Sequence, residues 1–165
     1  MNRALISLGS NLGDSKATLK NALALLEQTP GIKVDKISSF YRTPPVGGVL
    51  QDDFINACAL LSVTLNAHDL MQTLLNIEKE FKRERIIRWG PRTLDLDLID
   101  FNGERSDDPF ITLPHPRAHQ RAFVLIPANE IAPDLLLGGK YSVQHYLKKL
   151  SENDIKGITK LSYAQ

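Results

Sequence analysis

The chain has a single cysteine among its 165 residues, so Cys58 can form no internal disulfide. Its apolar setting, Asn56-Ala57-Cys58-Ala59-Leu60-Leu61, suits a reduced core thiol and a cytoplasmic protein. Neither sign of charge is in excess. Lys and Arg number 20 against 19 Asp and Glu, without the broad basic surplus of nucleic-acid or membrane-surface binders. No apolar run reaches the roughly 18 residues of a membrane span, and Met1-Asn2-Arg3 leads into a strand-like segment rather than a secretory signal. Repeats and low-complexity tracts are absent. The glycines of Gly9-Ser10-Asn11-Leu12-Gly13-Asp14 follow neither nucleotide-binding spacing, and no Walker lysine follows them, so they read as a turn into a helix. His115 and His119 stand four apart, but without H-E-x-x-H or a thiolate they make a poor zinc site. One domain over 1–165, large enough to bury a core, is the expectation.

What is present concentrates in 88–101, where Arg88-Trp89-Gly90-Pro91-Arg92-Thr93 reads as a turn and Leu94-Asp95-Leu96-Asp97-Leu98-Ile99-Asp100-Phe101 as a strand. Successive strand side chains alternate, so Leu94, Leu96 and Leu98 share one face while Asp95 and Asp97 share the other. Two residues of strand separate those two Cα atoms by about 6.6 Å. That spacing lets two carboxylates share a pair of divalent ions about 3.5–4 Å apart, with the oxygen ligation that Mg²⁺ accepts. The plainer reading is a half-exposed strand whose acids face water. The company of these acids favours the metal. Lys79, Lys82, Arg83, Arg85, Arg88 and Arg92 oppose only Glu78, Glu80 and Glu84 just upstream, and a basic arm beside paired acids suits a metal-bound polyphosphate.

Along the chain, 4–8 reads as a strand and Leu19, Ala22, Leu23 and Leu26 as the inner face of a helix that Thr29-Pro30-Gly31 stops. A second strand is expected over Ile32 to Tyr41, with a bulge needed to bring Val34, Ile37 and Phe40 to one face. Thr43-Pro44-Pro45-Val46-Gly47-Gly48 joins residues of fixed φ to residues of free φ, a lid or a surface linker. Phe54 to Leu65 is a third strand, on which Phe54 and Asn56 project together, either to grip a flat heterocycle or as cross-strand packing. A second helix carries Leu70, Leu74, Ile77 and Phe81 inward and ends in the basic arm. Asn102-Gly103 is a hairpin-type turn. His115, Arg117, His119 and Arg121 precede an apolar segment, then come a helix near 142–150 and a strand-like 158–161. The order βαββαβ followed by helices predicts an antiparallel sheet with helices on one side.

Phe40-Tyr41-Arg42-Thr43-Pro44-Pro45, the stretch from Arg88 to Asp97, Leu113-Pro114-His115 and Arg121-Ala122-Phe123 together resemble the 6-hydroxymethyl-7,8-dihydropterin pyrophosphokinases of folate biosynthesis. The resemblance runs from Gly9 to Pro133 and implies a ferredoxin-like α+β fold: an antiparallel sheet with flanking helices. It implies a monomer that moves the β,γ-pyrophosphate of ATP onto the pterin hydroxymethyl group and leaves AMP. It assigns Asp95 and Asp97 to two Mg²⁺ ions, and Arg83 and Arg92 to a catalytic loop that also holds Arg85 and Trp89. His115 and Arg121 are implied contacts to the triphosphate, Leu98 and Thr112 border the adenine, and Glu78 lies near the ribose. The pterin is implied to lie between Phe54 and Phe123, near Trp89 and Asp95, with Asn56 reading its amide edge and Thr43, Pro44, Pro45 and Val46 closing over it. Lys82 stands where the family pattern has glycine, the loop before Arg88 is shorter, Phe54 replaces a common tyrosine, and Pro116 replaces an aromatic. Two rival readings use the same acids or the same fold: a nucleotide-binding domain without chemistry, and a two-metal phosphohydrolase.

Overall fold

The computed structural model describes residues 1–11, 15–44, 53–87 and 94–161, with the backbone alone for 82–87. The elements in chain order are β1 (Asn2–Ser10), α1 (Ser15–Gln28), β2 (Ile32–Ile37), β3 (Tyr41–Thr43), β4 (Phe54–Val63), α2 (Ala67–Ile87) and β5 (Asp95–Phe101). They continue with β6 (Ser106–Asp108), β7 (Ile111–Leu113), α3 (Ala122–Ile131), β8 (Leu136–Leu137), β9 (Tyr141–Ser142), α4 (Val143–Lys148), α5 (Glu152–Ile155) and β10 (Thr159–Lys160). The main sheet is antiparallel in the order β10-β3-β4-β1-β5, and β2 also pairs with β4. With β2 and β3 counted as one interrupted strand, this is the ferredoxin-like order, and the α+β class is as expected.

The helices form where the apolar spacing puts them. Leu19, Ala22, Leu23 and Leu26 of α1 and Leu70, Leu74 and Ile77 of α2 are buried in one core cluster with Ala4, Ile6 and Leu8 of β1 and Leu96 and Leu98 of β5. Asn66 caps α2, its side-chain oxygen accepting from the Asp69 N–H at 2.8 Å. Beyond Gln28 the chain turns through Gly31, whose φ of 87° favours glycine.

The opposite face of the sheet is not left to solvent. Leu5, Cys58 and Ile99 pack there against Val124, Leu125, Ala128 and Ile131 of α3 and against Val143 at the start of α4. Helices therefore cover both faces, which corrects the one-sided expectation. Pro127 inside α3 removes one helical N–H, and the short apolar run around it gives little helical period to read. Cys58 is buried, as its neighbours imply.

Two expected strands differ in detail. The bulge in the second strand exists, between Val34 and Lys36, but Ile37 is 48% exposed rather than turned inward. The strand also breaks at 38–40. There Ser38 exchanges bonds with Cys58: the Ser38 N–H donates to the Cys58 carbonyl, and the Cys58 N–H donates to the Ser38 hydroxyl, each at 2.9 Å. Asn102 and Gly103 both take positive φ, 56° and 70°, as a primed hairpin turn requires. The chain then leaves the sheet, and β6 pairs with β7 instead of returning along β5. Asp100, 1% exposed, anchors that exit by accepting from the N–H groups of Gly103 at 3.0 Å and Gly138 at 2.7 Å.

Candidate active site

The α3 face of the sheet is apolar at one end and polar at the other. In the β-ladder, Gly9 stands opposite both Asn56 and Asp95, Tyr41 lies beyond Asn56, and the next pair out is Thr43 and Phe54. One step inward, Ser7 stands between Cys58 and Asp97. Directly opposed residues share a face, so Asp95, Asp97, Asn56, Phe54 and Thr43 surround a floor on which Gly9 contributes no side chain. A Cβ built on Gly9 falls 2.9 Å from Asn56 Nδ2, so the amide lies over the glycine.

That floor is under-satisfied. Asn56 is 4% exposed and Thr43 9% exposed, yet among the described residues Asn56 Oδ1 and Thr43 Oγ1 have no hydrogen-bond partner. Leaving a buried acceptor unpaired costs about 1–3 kcal/mol, so two such atoms on one sheet face suit a polar ligand. Phe54 and Phe123 are both partly exposed. Phe123 lies in the first turn of α3, and the guanidinium carbon of Arg121, the residue before that helix, stands 5.6 Å from its ring centre.

The carboxylates stand at the edge of this floor, on an outer strand of the sheet. Asp95 is exposed and Asp97 half-buried. On the free side of β5 the Glu78 carboxylate accepts from the Leu96 N–H at 2.7 Å, which ties α2 to the strand between the two aspartates. His115 docks on the same side by donating its own N–H to the Ile99 carbonyl at 2.9 Å. Its Nδ1 accepts from the Arg117 N–H at 3.3 Å, so the neutral ring carries its proton on Nε2. Burial holds the imidazole pKa below its ordinary value, Asp97 opposes that shift, and Arg121 and Arg117 add to it. His115, Asp97, Leu98, Thr112, Phe110 and Met71 line a cavity of about 190 Å³. A larger open concavity of about 610 Å³ lies at the other end of the sheet, among Arg3, Lys36, Leu60 and Pro133, and contains none of these groups. In the smaller one a carboxylate, a histidine and apolar walls converge.

A family model described as 7,8-dihydro-6-hydroxymethylpterin-pyrophosphokinase matches residues 5–133. The chain belongs to this family. A Methylorubrum extorquens protein named 2-amino-4-hydroxy-6-hydroxymethyldihydropteridine pyrophosphokinase is 44% identical over 158 residues, covering 96% of this chain and 99% of that one. A Bacillus subtilis protein of the same name is 45% identical over 130 residues, covering 79% of this chain and 78% of that one. A solved Plasmodium falciparum HPPK-DHPS chain superposes with a TM-score of 0.71 at 15% identity, a likeness of fold. It covers 97% of this chain and 47% of that one, so the present chain spans about half its length.

Among the residues that family resemblance singles out, Asp95, Asp97, Asn56, Phe54 and Thr43 meet on one sheet face. Leu98, Thr112 and His115 meet with Asp97 in the adjoining cavity, and Arg121 lies beside Phe123. Pro44 is exposed just past Thr43. The backbone at Arg83 and Arg85 is helical, in the last turns of α2, and not the loop the resemblance implies. Lys, Arg and Glu are good helix formers, and Lys82 in place of glycine removes the residue that would have broken the helix there. Pro45, Val46, Trp89 and Arg92 lie outside the described residues.

The sequence reading did not connect Glu130 with Ser39 and Tyr41. The Glu130 carboxylate accepts from Tyr41 Oη at 2.5 Å, from Ser39 Oγ at 3.0 Å and from the Ser39 N–H at 3.0 and 3.1 Å. Tyr41 lies in the Phe40–Pro45 motif, but 89 positions along the chain separate it from Glu130. No helix among the described residues is long and apolar enough to cross a membrane.

Proposed function

We propose that the hollow over Gly9 receives 6-hydroxymethyl-7,8-dihydropterin and that the cavity beside Asp97 receives ATP. The reaction, given by family membership, is transfer of a pyrophosphoryl group from ATP to the pterin hydroxymethyl group, with AMP as the second product. The observation that carries the site assignment is the placement of Asp95 and Asp97 on the same sheet face as Asn56 and Gly9. Two carboxylates at the rim of an organic-acceptor slot put a polyphosphate within reach of an alcohol.

Among the described residues no group of three or more His, Cys, Asp and Glu forms a protein-only metal cage. The donor set instead fits Mg²⁺, which takes one or two carboxylates and completes its octahedron with water and phosphate oxygens. Asp95 and Asp97 would hold two such ions, which would supply neutralisation of phosphate charge.

The chain's own residues do the rest. Asn56 and Thr43 hydrogen-bond the heterocycle with the acceptor atoms left open, and Phe54 and Phe123 flank its faces. His115 offers its Nε2–H and Arg121 its guanidinium to phosphate oxygens. Leu98 and Thr112 wall the adenine, and Glu78 lies near the ribose. Arg83, Arg85, Trp89 and Arg92 act from the basic arm, in which the backbone at Arg83 and Arg85 is helical.

The hydroxymethyl oxygen attacks the β-phosphorus in line. A new O–Pβ bond forms, and the bond from Pβ to the oxygen bridging it to the α-phosphorus breaks. That oxygen leaves with AMP, and the hydroxyl proton departs to solvent as the new bond forms. Holding both reactants in this geometry supplies about 7–11 kcal/mol of the rate enhancement, and donors aimed at the developing charge about 3–4 more.

Product analysis tests the reading. ATP, Mg²⁺ and the reduced pterin should yield AMP and the pterin diphosphate in equal amounts. Release of phosphate or pyrophosphate without pterin would establish the phosphohydrolase instead, and binding without products the inert domain. Calorimetry with a non-hydrolysable ATP analogue, with and without Mg²⁺ and then with pterin, separates the two sites.

A further inference from the structure

We infer that Glu130 is a positioning residue for the acceptor slot: with Ser39 and Tyr41 it straps α3 to β3 and so fixes the distance between the two walls that hold the pterin. The inference rests on the reading of that slot given above.

Glu130 lies seven positions after Phe123 in α3, close to two helical turns, so both side chains leave the same side of the helix about 10.5 Å apart. Tyr41 and Thr43, two apart on β3, likewise share a face. The strap therefore joins the side of α3 that bears one aromatic wall to the strand face that bears the other wall. Tyr41 is directly opposite Asn56, and Thr43 directly opposite Phe54.

The strap is where it is because the strand is broken there. Ser38 satisfies Cys58, so the next N–H, that of Ser39, is left to find a partner outside the ladder. Glu130 takes it with both oxygens and takes two hydroxyls as well. Hydrogen bonds to an ionised acceptor are the strong kind. Elsewhere α3 meets the sheet through apolar contacts at Leu5 and Ile99, which resist separation but set no unique sliding position, and through one long thiol bond from Cys58 to the Val124 carbonyl at 3.4 Å. Directional bonds from Ser39 and Tyr41 supply that position. Glu130 touches no reacting atom in this account and acts through Phe123 and Thr43.

The test uses Tyr41→Phe, Glu130→Ala and the double variant of the full chain. Binding of the pterin in the presence of Mg²⁺ and a non-hydrolysable ATP analogue is measured alongside binding of the analogue alone. Expected are a pterin affinity at least fivefold weaker in each single variant and an analogue affinity within twofold of the parent. In the double variant the two losses should not add. Steady-state kinetics should show the same split, a raised KM for pterin with the KM for ATP unchanged. If Glu130→Ala does not fold, Tyr41→Phe decides alone, since it deletes only a hydroxyl. Unchanged pterin binding in Tyr41→Phe, or equal weakening of both ligands, overturns the strap. Failure of the parent chain itself to bind pterin overturns the slot assignment on which it rests.

Discussion

Replacing Gly9 by alanine should damage pterin binding while leaving the fold and the nucleotide site in place. The new methyl carbon would stand 2.9 Å from Asn56 Nδ2, against the 3.4 Å at which ordinary contact begins. Gly9 lies in a strand paired on both sides, so its backbone cannot back away without disturbing β4 and β5 together. The Asn56 amide must therefore retreat, by about 0.5 Å, which stretches a hydrogen bond of about 2.9 Å beyond useful length. Because Asn56 is 4% exposed, no water replaces what the ligand loses. Forfeiting one such buried bond costs about 1–3 kcal/mol, which is roughly a 5- to 150-fold loss of affinity. Calorimetric titration of pterin into the protein loaded with Mg²⁺ and an ATP analogue reads this directly. Far-UV circular dichroism and binding of the analogue itself should match the parent. A Gly9→Ala protein that binds pterin as the parent does would falsify the placement of the heterocycle over this glycine.

Three further outcomes test other parts of the structure. Asp97→Ala should abolish Mg²⁺-dependent formation of AMP, and near-parental AMP release in that variant would remove the metal from the carboxylate pair. Asp100→Ala strands the N–H groups of Gly103 and Gly138 and should destabilise the chain by about 2–4 kcal/mol, as read by urea unfolding; a midpoint within error of the parent would show those turns to be held otherwise. Burial raises the Glu130 pKa, but hydrogen bonds from Tyr41 and Ser39 and the charge of Lys160 outweigh it and hold the carboxyl below its ordinary range. The strap's contribution to stability is thus fully present above the unfolded carboxylate pKa of about 4.3 and fades as pH falls through the lower folded value. Unfolding of parent and Glu130→Gln compared from neutral pH downward should converge in acid, and a gap independent of pH would contradict the charged strap.

Much of this was legible along the sequence because its physics is local. The period of Leu19, Leu23 and Leu26, or of Leu70, Leu74 and Ile77, needs only a helix and an apolar neighbour to become core. Alternation from Leu94 to Leu98 likewise fixes which side Asp95 and Asp97 occupy before any partner strand is known. What stayed hidden depends on distant chain. Whether Ser38 breaks a strand is decided by Cys58, and where Ser39 then turns is decided by Glu130. The basic stretch at 79–85 reads as an arm by charge alone, yet its residues favour helix and α2 runs on to Ile87. The identity of α3 as a second cover for the sheet was masked by Pro127, and the division of that sheet face into core and pocket has no local signature at all.

That division is what makes the face a site. Along β1 the positions directed toward α3 are Leu5, Ser7 and Gly9, a loss of apolar surface from the covered end to the open one. β4 repeats it with Leu60, Cys58 and Asn56, and β5 with Ile99, Asp97 and Asp95. The bulge between Leu5 and Ile6 strengthens the pattern, because it leaves Ile99 packed under α3 while Asp100 stays turned inward to hold the two turns at its own end. α3 begins near the middle of this gradient: the Cys58 thiol donates to the Val124 carbonyl in its first turns at 3.4 Å. An α3 that began one turn earlier would cover Asn56 and Gly9, and the two unpaired acceptors there would be sealed in the core at a cost of several kcal/mol. Arg121, extended at φ −108°, ψ 111°, marks where α3 starts, and its guanidinium carbon stands 5.6 Å from the Phe123 ring centre, so the helix begins beside the polar row rather than over it.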